Sequence, residues 1–128
     1  IADELLEDGA RTIVGPIISE RCKPELRNHT IETAGVLNKA GVPMCICTDH
    51  PVVPEQYLPL SAGLAVRGGL DREEALKAIT IYPAQITGIA DRVGSIEPGK
   101  DADIVIFSGD PLSVCDTPDT VIVNGKVI

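Results

Sequence analysis

Aromatic side chains are nearly missing from this sequence. It has no tryptophan, one phenylalanine (Phe107) and two tyrosines (Tyr57 and Tyr82). A core built from it must be aliphatic, and the shortage argues against a stacking surface for bases or sugars. Long apolar runs are also missing: none approaches the ~20 residues that span a bilayer, and no signal-peptide pattern is visible. Basic residues are scarce. Eleven Lys and Arg stand against nineteen Asp and Glu, for a formal charge of −8. They are scattered, which argues against a nucleic-acid partner. The four cysteines, Cys22, Cys45, Cys47 and Cys115, are too few for a disulfide scaffold and suit a reduced, cytoplasmic setting. Cys45 and Cys47 lie too close along one segment to bridge each other easily. Ile1 opens the chain without an initiator methionine, and Asp3–Gly9 reads as the end of a helix already in progress. The expectation is a piece of a longer protein; the plain alternative is a trimmed small domain.

What is present alternates between helix and strand. Arg11–Ile18 is a β-branched run with a charged loop after it, Ser19-Glu20-Arg21-Cys22-Lys23. Pro24 suits a first helical turn. From there to Ala40, the positions Ile31, Ala34, Leu37 and Ala40 recur every three residues, so a helix is expected over 24–40. Gly41 is a natural left-handed terminator. Val42–Cys47 is apolar on both faces, as in a parallel strand covered on both sides. A mostly apolar segment follows from Glu55 to Val66, broken at Gly68-Gly69. Asp71 caps the next helix, with Glu74 as its capping-box partner. A further helix runs from near Pro83 to Gly88. The last third changes character: a strand fragment and turn over Gly94–Lys100, a strand over Asp103–Phe107, and a hairpin over Val121–Ile128 with Asn124-Gly125 as its turn. An α/β unit over 1–90 and a small β unit over 91–128 are therefore expected. Three short strands are marginal alone, so the β unit is expected to need partner strands.

Thr48-Asp49-His50 ends the Val42–Cys47 run. A carboxylate where a buried strand surfaces can bind a metal or move a proton; it can equally serve a cap or a turn. Alternation along the strand would put Cys45, Cys47 and Asp49 on one face. Structural packing is the ordinary role of such cysteines.

Two blocks together resemble the metal-dependent amidohydrolase superfamily, especially its imidazolonepropionase-like and Xaa-Pro-dipeptidase-like members. One is Ala40-Gly41-Val42-Pro43 through Cys47-Thr48-Asp49. The other is Gly94-Ser95-Ile96-Glu97-Pro98-Gly99-Lys100-Asp101-Ala102-Asp103-Ile104-Val105-Ile106-Phe107, followed by Val121-Ile122-Val123-Asn124-Gly125-Lys126-Val127. Between them, Ala75–Ala84 is also similar to this group. The resemblance implies the last two βα units of a (β/α)8 barrel, with its chemistry at the strand C-termini, plus the C-terminal half of a small β-sandwich. It implies that Asp49 is both a metal ligand and the general base, and that the cofactor is a divalent metal, zinc foremost, as one ion or two. Such a metal activates bound water, and the aspartate passes a proton to the departing amine.

The sequence also departs from the family pattern. It has no His-x-His pair, and its histidines are only His29 and His50. His29, in the expected helix, suits a surface or cap role. His50 follows Asp49 directly, so both reach one metal only if the chain turns there; a substrate-facing or loop-packing role is the other option. Arg21 and Lys23 are candidates for binding a substrate carboxylate. One aspartate cannot hold a catalytic metal that wants about three protein ligands. The expectation is the C-terminal portion of a hydrolase of C–N bonds in a cyclic amide or a dipeptide, inactive and metal-free in isolation. Its partners would be a small-molecule substrate, the missing N-terminal part and further copies of itself. The competing class is a non-catalytic α/β module, or an assembly fragment that folds by dimerisation.

Overall fold

Turn chemistry sets several of the boundaries in the first ninety residues. The computed structural model describes residues 1–128. Helix α1 spans Ala2–Glu7, strand β1 Thr12–Val14, α2 Thr33–Lys39, β2 Met44–Ile46, α3 Leu58–Arg67, α4 Arg72–Ala78 and α5 Ile81–Thr87. Single 3-10 turns occupy Pro24–Leu26 and Glu55–Tyr57. At the end of α2, the Gly41 N–H donates to the Asn38 carbonyl and the Val42 N–H to the Leu37 carbonyl. Gly41 sits at φ 80°, so this is a Schellman stop that only a residue at ease in the left-handed region supplies cheaply. It turns the chain straight into β2.

β1 and β2 pair in parallel, with Thr12 opposite Met44, Ile13 opposite Cys45 and Val14 opposite Ile46. Helices α2, α3, α4 and α5 all pack against β2, and all three of its residues are buried. A parallel strand covered on both faces is what its unbroken apolar run predicts. Ala62 and Ala65 on α3 meet Ala75 and Ala78 on α4 in the same buried cluster. The absence of side chains beyond Cβ lets these helices approach closely, and the core is aliphatic throughout. β3 (Ile104–Ile106), β4 (Thr120–Val123) and β5 (Lys126–Val127) form a separate antiparallel sheet in the order β3-β4-β5. Asn124 and Gly125 both take positive φ in the β4–β5 turn, as a two-residue hairpin of this composition requires. The fold is thus mixed α/β, with one small parallel and one antiparallel sheet.

Three expectations need correction. The helix foreseen over 24–40 is two pieces. Thr30 Oγ1 accepts the Glu32 N–H at 3.3 Å and Thr33 Oγ1 donates to the Thr30 carbonyl at 3.1 Å; such local bonds compete with helix and delay its start to Thr33. His29 consequently lies in a loop. The capping box at α4 is half formed. Asp71 Oδ1 accepts the Glu73 and Glu74 N–H groups at 2.8 and 3.2 Å, but Glu74 does not reach back. Its carboxylate accepts Asn38 Nδ2 at 3.2 Å, Lys77 Nζ at 2.8 Å and the Tyr82 hydroxyl at 2.6 Å, tying α2, α4 and α5 together. Finally, no strand forms over Gly94–Glu97. Ser95 Oγ instead bonds Glu97 and Lys100, and Ile96 is left exposed with no strand beside it.

Only Leu112 joins the twelve-residue buried cluster from beyond residue 90. Its loop is fastened to α4 by Arg72, whose guanidinium donates to both Asp110 oxygens at 3.3 and 2.6 Å. The molecule exposes 8334 Å². A folded monomer of 13.5 kDa is expected to expose about 6,500 Å², so this surface is larger by about 1,800 Å². Ile13 on β1, Val105 and Ile106 on β3 and Val123 on β4 are among the exposed apolar residues.

Candidate active site

Asp49 stands three residues past the C-terminal end of β2. Cys47 still holds the ladder through its N–H to the Val14 carbonyl at 3.0 Å. Beyond it, Thr48 is buried and Asp49 and His50 are exposed. Asp49 takes φ 55°, in the left-handed region where Asp is among the few tolerated side chains. Its carbonyl accepts the Val52 N–H at 2.8 Å, and buried Val53 anchors the far side of the turn. The rigid strand thus presents Asp49 at the tip of a defined turn.

This geometry revises the single-face reading of Cys45, Cys47 and Asp49. β2 ends at Ile46, so strand alternation does not extend to Asp49. No three His, Cys, Asp or Glu side chains come together in a group able to hold a metal. The cysteines behave as packing residues: Cys45 is buried, and burial pushes its thiol above the ordinary value, helped by the neighbouring Cys47. All four cysteines are free. Gly15 at the end of β1 is required by close approach, because a Cβ there would overlap the Cys47 carbonyl. The chain does turn between Asp49 and His50, the condition under which both could serve one site.

Arg21 and Lys23 lie exposed in the loop after β1. Arg21 donates from Nε and Nη2 to the His29 carbonyl at 3.1 and 2.9 Å. His29 Nε2 lies 3.0 Å from the Pro16 carbonyl oxygen. Sequence reasoning did not foresee this bracing, because nothing in the spacing of His29 distinguishes it from a surface histidine. A cavity of about 560 Å³ is lined by Arg11, Asn38, Tyr82 and Gln85 among others and lies at the N-terminal ends of the strands. It is at the opposite end from Asp49. The strand C-termini are where parallel α/β folds gather their chemistry, so size is the weaker guide here.

Comparison with known proteins places this geometry. The model of the amidohydrolase family matches residues 6–128. The chain is 34% identical over 103 residues to the amidohydrolase tasK of Hapsidospora irregularis, covering 80% of this chain and 10% of that protein. It is 47% identical over 72 residues to an imidazolonepropionase of Geobacillus kaustophilus, covering 54% of this chain and 17% of that enzyme. The crystal structure of an amidohydrolase from Thermotoga maritima superposes with a TM-score of 0.94 at 40% identity, over 99% of this chain and 33% of that one. The chain spans a third of the length of that solved structure and less of the curated relatives. With the family match running almost end to end and the same fold in a solved relative, this chain belongs to the amidohydrolase family.

Proposed function

We propose that the chain forms the C-terminal part of a metal-dependent hydrolase of C–N bonds, with a cyclic amide or a dipeptide as substrate. Residues 1–90 would supply the last two βα units of a (β/α)8 barrel, and 91–128 the C-terminal half of a β-sandwich. The observation that carries the reading is Asp49, held in a left-handed turn just past the C-terminal end of a buried parallel strand in a chain of this family. The names of the relatives, imidazolonepropionase and amidohydrolase, support the bond class.

A catalytic zinc wants about three protein ligands, and the donors of this chain gather no such set. Asp49 by itself does not make a metal site; the divalent metal, zinc foremost, one ion or two, would be held mainly by residues outside these 128. The role of Asp49 is proton transfer: its carboxylate takes a proton from the attacking water and delivers it to the departing amine. His50 beside it and the loop cations Arg21 and Lys23 are the substrate-contacting candidates. The surface excess of about 1,800 Å² supports completion by the N-terminal part of the same protein, and speaks against an autonomous non-catalytic module. Further copies of the chain and a reduced, cytoplasmic setting complete the reading. No helix is long and apolar enough to cross a membrane.

The test is a zinc-loaded full-length protein assayed on an imidazolone, Xaa-Pro dipeptides and N-acyl amides, beside the 128-residue chain alone. The full-length protein should turn over one of these classes, and the short chain should hold no stoichiometric zinc and hydrolyse none. Tight zinc binding or amidase activity in the short chain would sink the reading.

A further inference from the structure

The loop after β1 is braced by a three-residue clasp. His29 Nε2 meets the Pro16 carbonyl oxygen at 3.0 Å. A carbonyl only accepts, so Nε2 carries the proton. The His29 carbonyl in turn accepts Nε and Nη2 of Arg21 at 3.1 and 2.9 Å. Pro16 and Arg21 lie on the outgoing arm of the loop and His29 on the returning arm. Buried Ile17 roots the outgoing arm in the core. The two arms are therefore cross-linked just past Gly15, at the same end of the sheet as Asp49.

The Nε–Nη2 edge of arginine is one of its two edges that grip a carboxylate with two parallel hydrogen bonds. In Arg21 that edge is already spent on a backbone carbonyl. Lys23, two residues on, has no ion pair and is exposed. Of the two substrate-contacting candidates in this loop, we infer that Arg21 is instead a positioning residue that acts through His29, and that Lys23 is the one that meets a substrate carboxylate. The inference rests on the hydrolase reading for its substrate and on the clasp geometry for its residues.

The experiment uses the zinc-loaded full-length protein with a dipeptide substrate and the same dipeptide as its neutral C-terminal amide. Arg21→Ala should raise KM for both substrates alike, leaving kcat nearly unchanged. His29→Ala should reproduce this, and the double variant should be no worse than the poorer single one. His29→Gln, whose amide N–H can still donate to Pro16, should restore the wild-type KM. Lys23→Ala should raise KM about tenfold for the acid alone, the low end for one charge-assisted hydrogen bond. Trypsin nicking within residues 19–27 supplies a readout that needs no turnover: it should quicken in His29→Ala and revert in His29→Gln. An Arg21→Ala effect confined to the acid would overturn the inference, as would effects of the two variants that multiply, or a Lys23→Ala effect equal on both substrates. If neither dipeptide is turned over, the dipeptide branch of the hydrolase reading fails, while the nicking rates still decide the clasp: rates equal to wild type would refute it.

Discussion

Replacing Leu112 with alanine removes the one side chain beyond residue 90 that enters the buried cluster. The residue is 9% exposed, so part of the void it leaves can be reached by solvent or filled by local movement. Leu→Ala costs in packed cores run at about 2–5 kcal/mol, and partial relaxation places this site near the lower end, at about 2–3 kcal/mol. The rival attachment is the Arg72–Asp110 pair, with N–O distance 2.6 Å but both side chains more than 40% exposed. Solvent screening leaves such pairs little net stabilisation. Burial should win. With a urea m-value of about 1.5 kcal/mol per M for a chain of this size, Leu112→Ala should lower the unfolding midpoint by about 1.5 M, and Arg72→Ala should shift it barely at all. Parallel urea titrations of wild type and both variants decide the order. An Arg72→Ala shift equal to or larger than that of Leu112→Ala would refute the argument that one apolar anchor secures the loop.

Gly63→Ala tests the same contact from the other side. Helix propensity alone forecasts a gain of about 1 kcal/mol, but a Cβ at this position on α3 would overlap the Leu112 carbonyl; a net loss of stability in the same titration is expected, and a gain would show that the loop moves aside freely. Glu74 predicts a pH dependence. Its carboxyl is held below the ordinary value of 4.5, first by the hydrogen bond from Lys77, then by that from Tyr82. A lowered folded-state pKa gives stabilisation that is present above the unfolded value and lost as pH falls through the folded one. Glu74→Gln should therefore cost stability at pH 7 and flatten the decline below about pH 4.5; an acid limb as steep as in wild type would contradict it.

Local chemistry explains how much could be read from the chain. Gly41, Gly88, the Asp71 cap and the Asn124-Gly125 turn each dictate a conformation through their own atoms, so those boundaries were legible. The parallel β1–β2 pair followed from the two-sided apolar run Val42–Cys47. The break at Thr30 was hidden because the three-residue apolar spacing of Ile31, Ala34 and Leu37 continues into α2 and says nothing about where hydroxyl groups interrupt it. The diversion of Glu74 was hidden because its partners Asn38 and Tyr82 sit on two other helices, 36 and 8 residues away, brought together only by packing. Asp49 was legible as a candidate by its place after an apolar strand, whereas its left-handed turn and the lack of a three-donor group around it are tertiary facts. Gly94–Glu97 carries one strand-favouring residue, Ile96, and no neighbour to pair with, and edge pairing is not written in a single segment.

The central claim is that Asp49 moves the proton. Asp49→Asn is the sharpest perturbation, because asparagine tolerates the left-handed conformation at φ 55° while losing the basic carboxylate. The measurement is kcat of this variant in the full-length protein at matched zinc content. A fall of about 10² to 10⁴, the usual share of a general base, with unfolding behaviour unchanged, is the predicted result. A kcat within about tenfold of wild type would contradict the account.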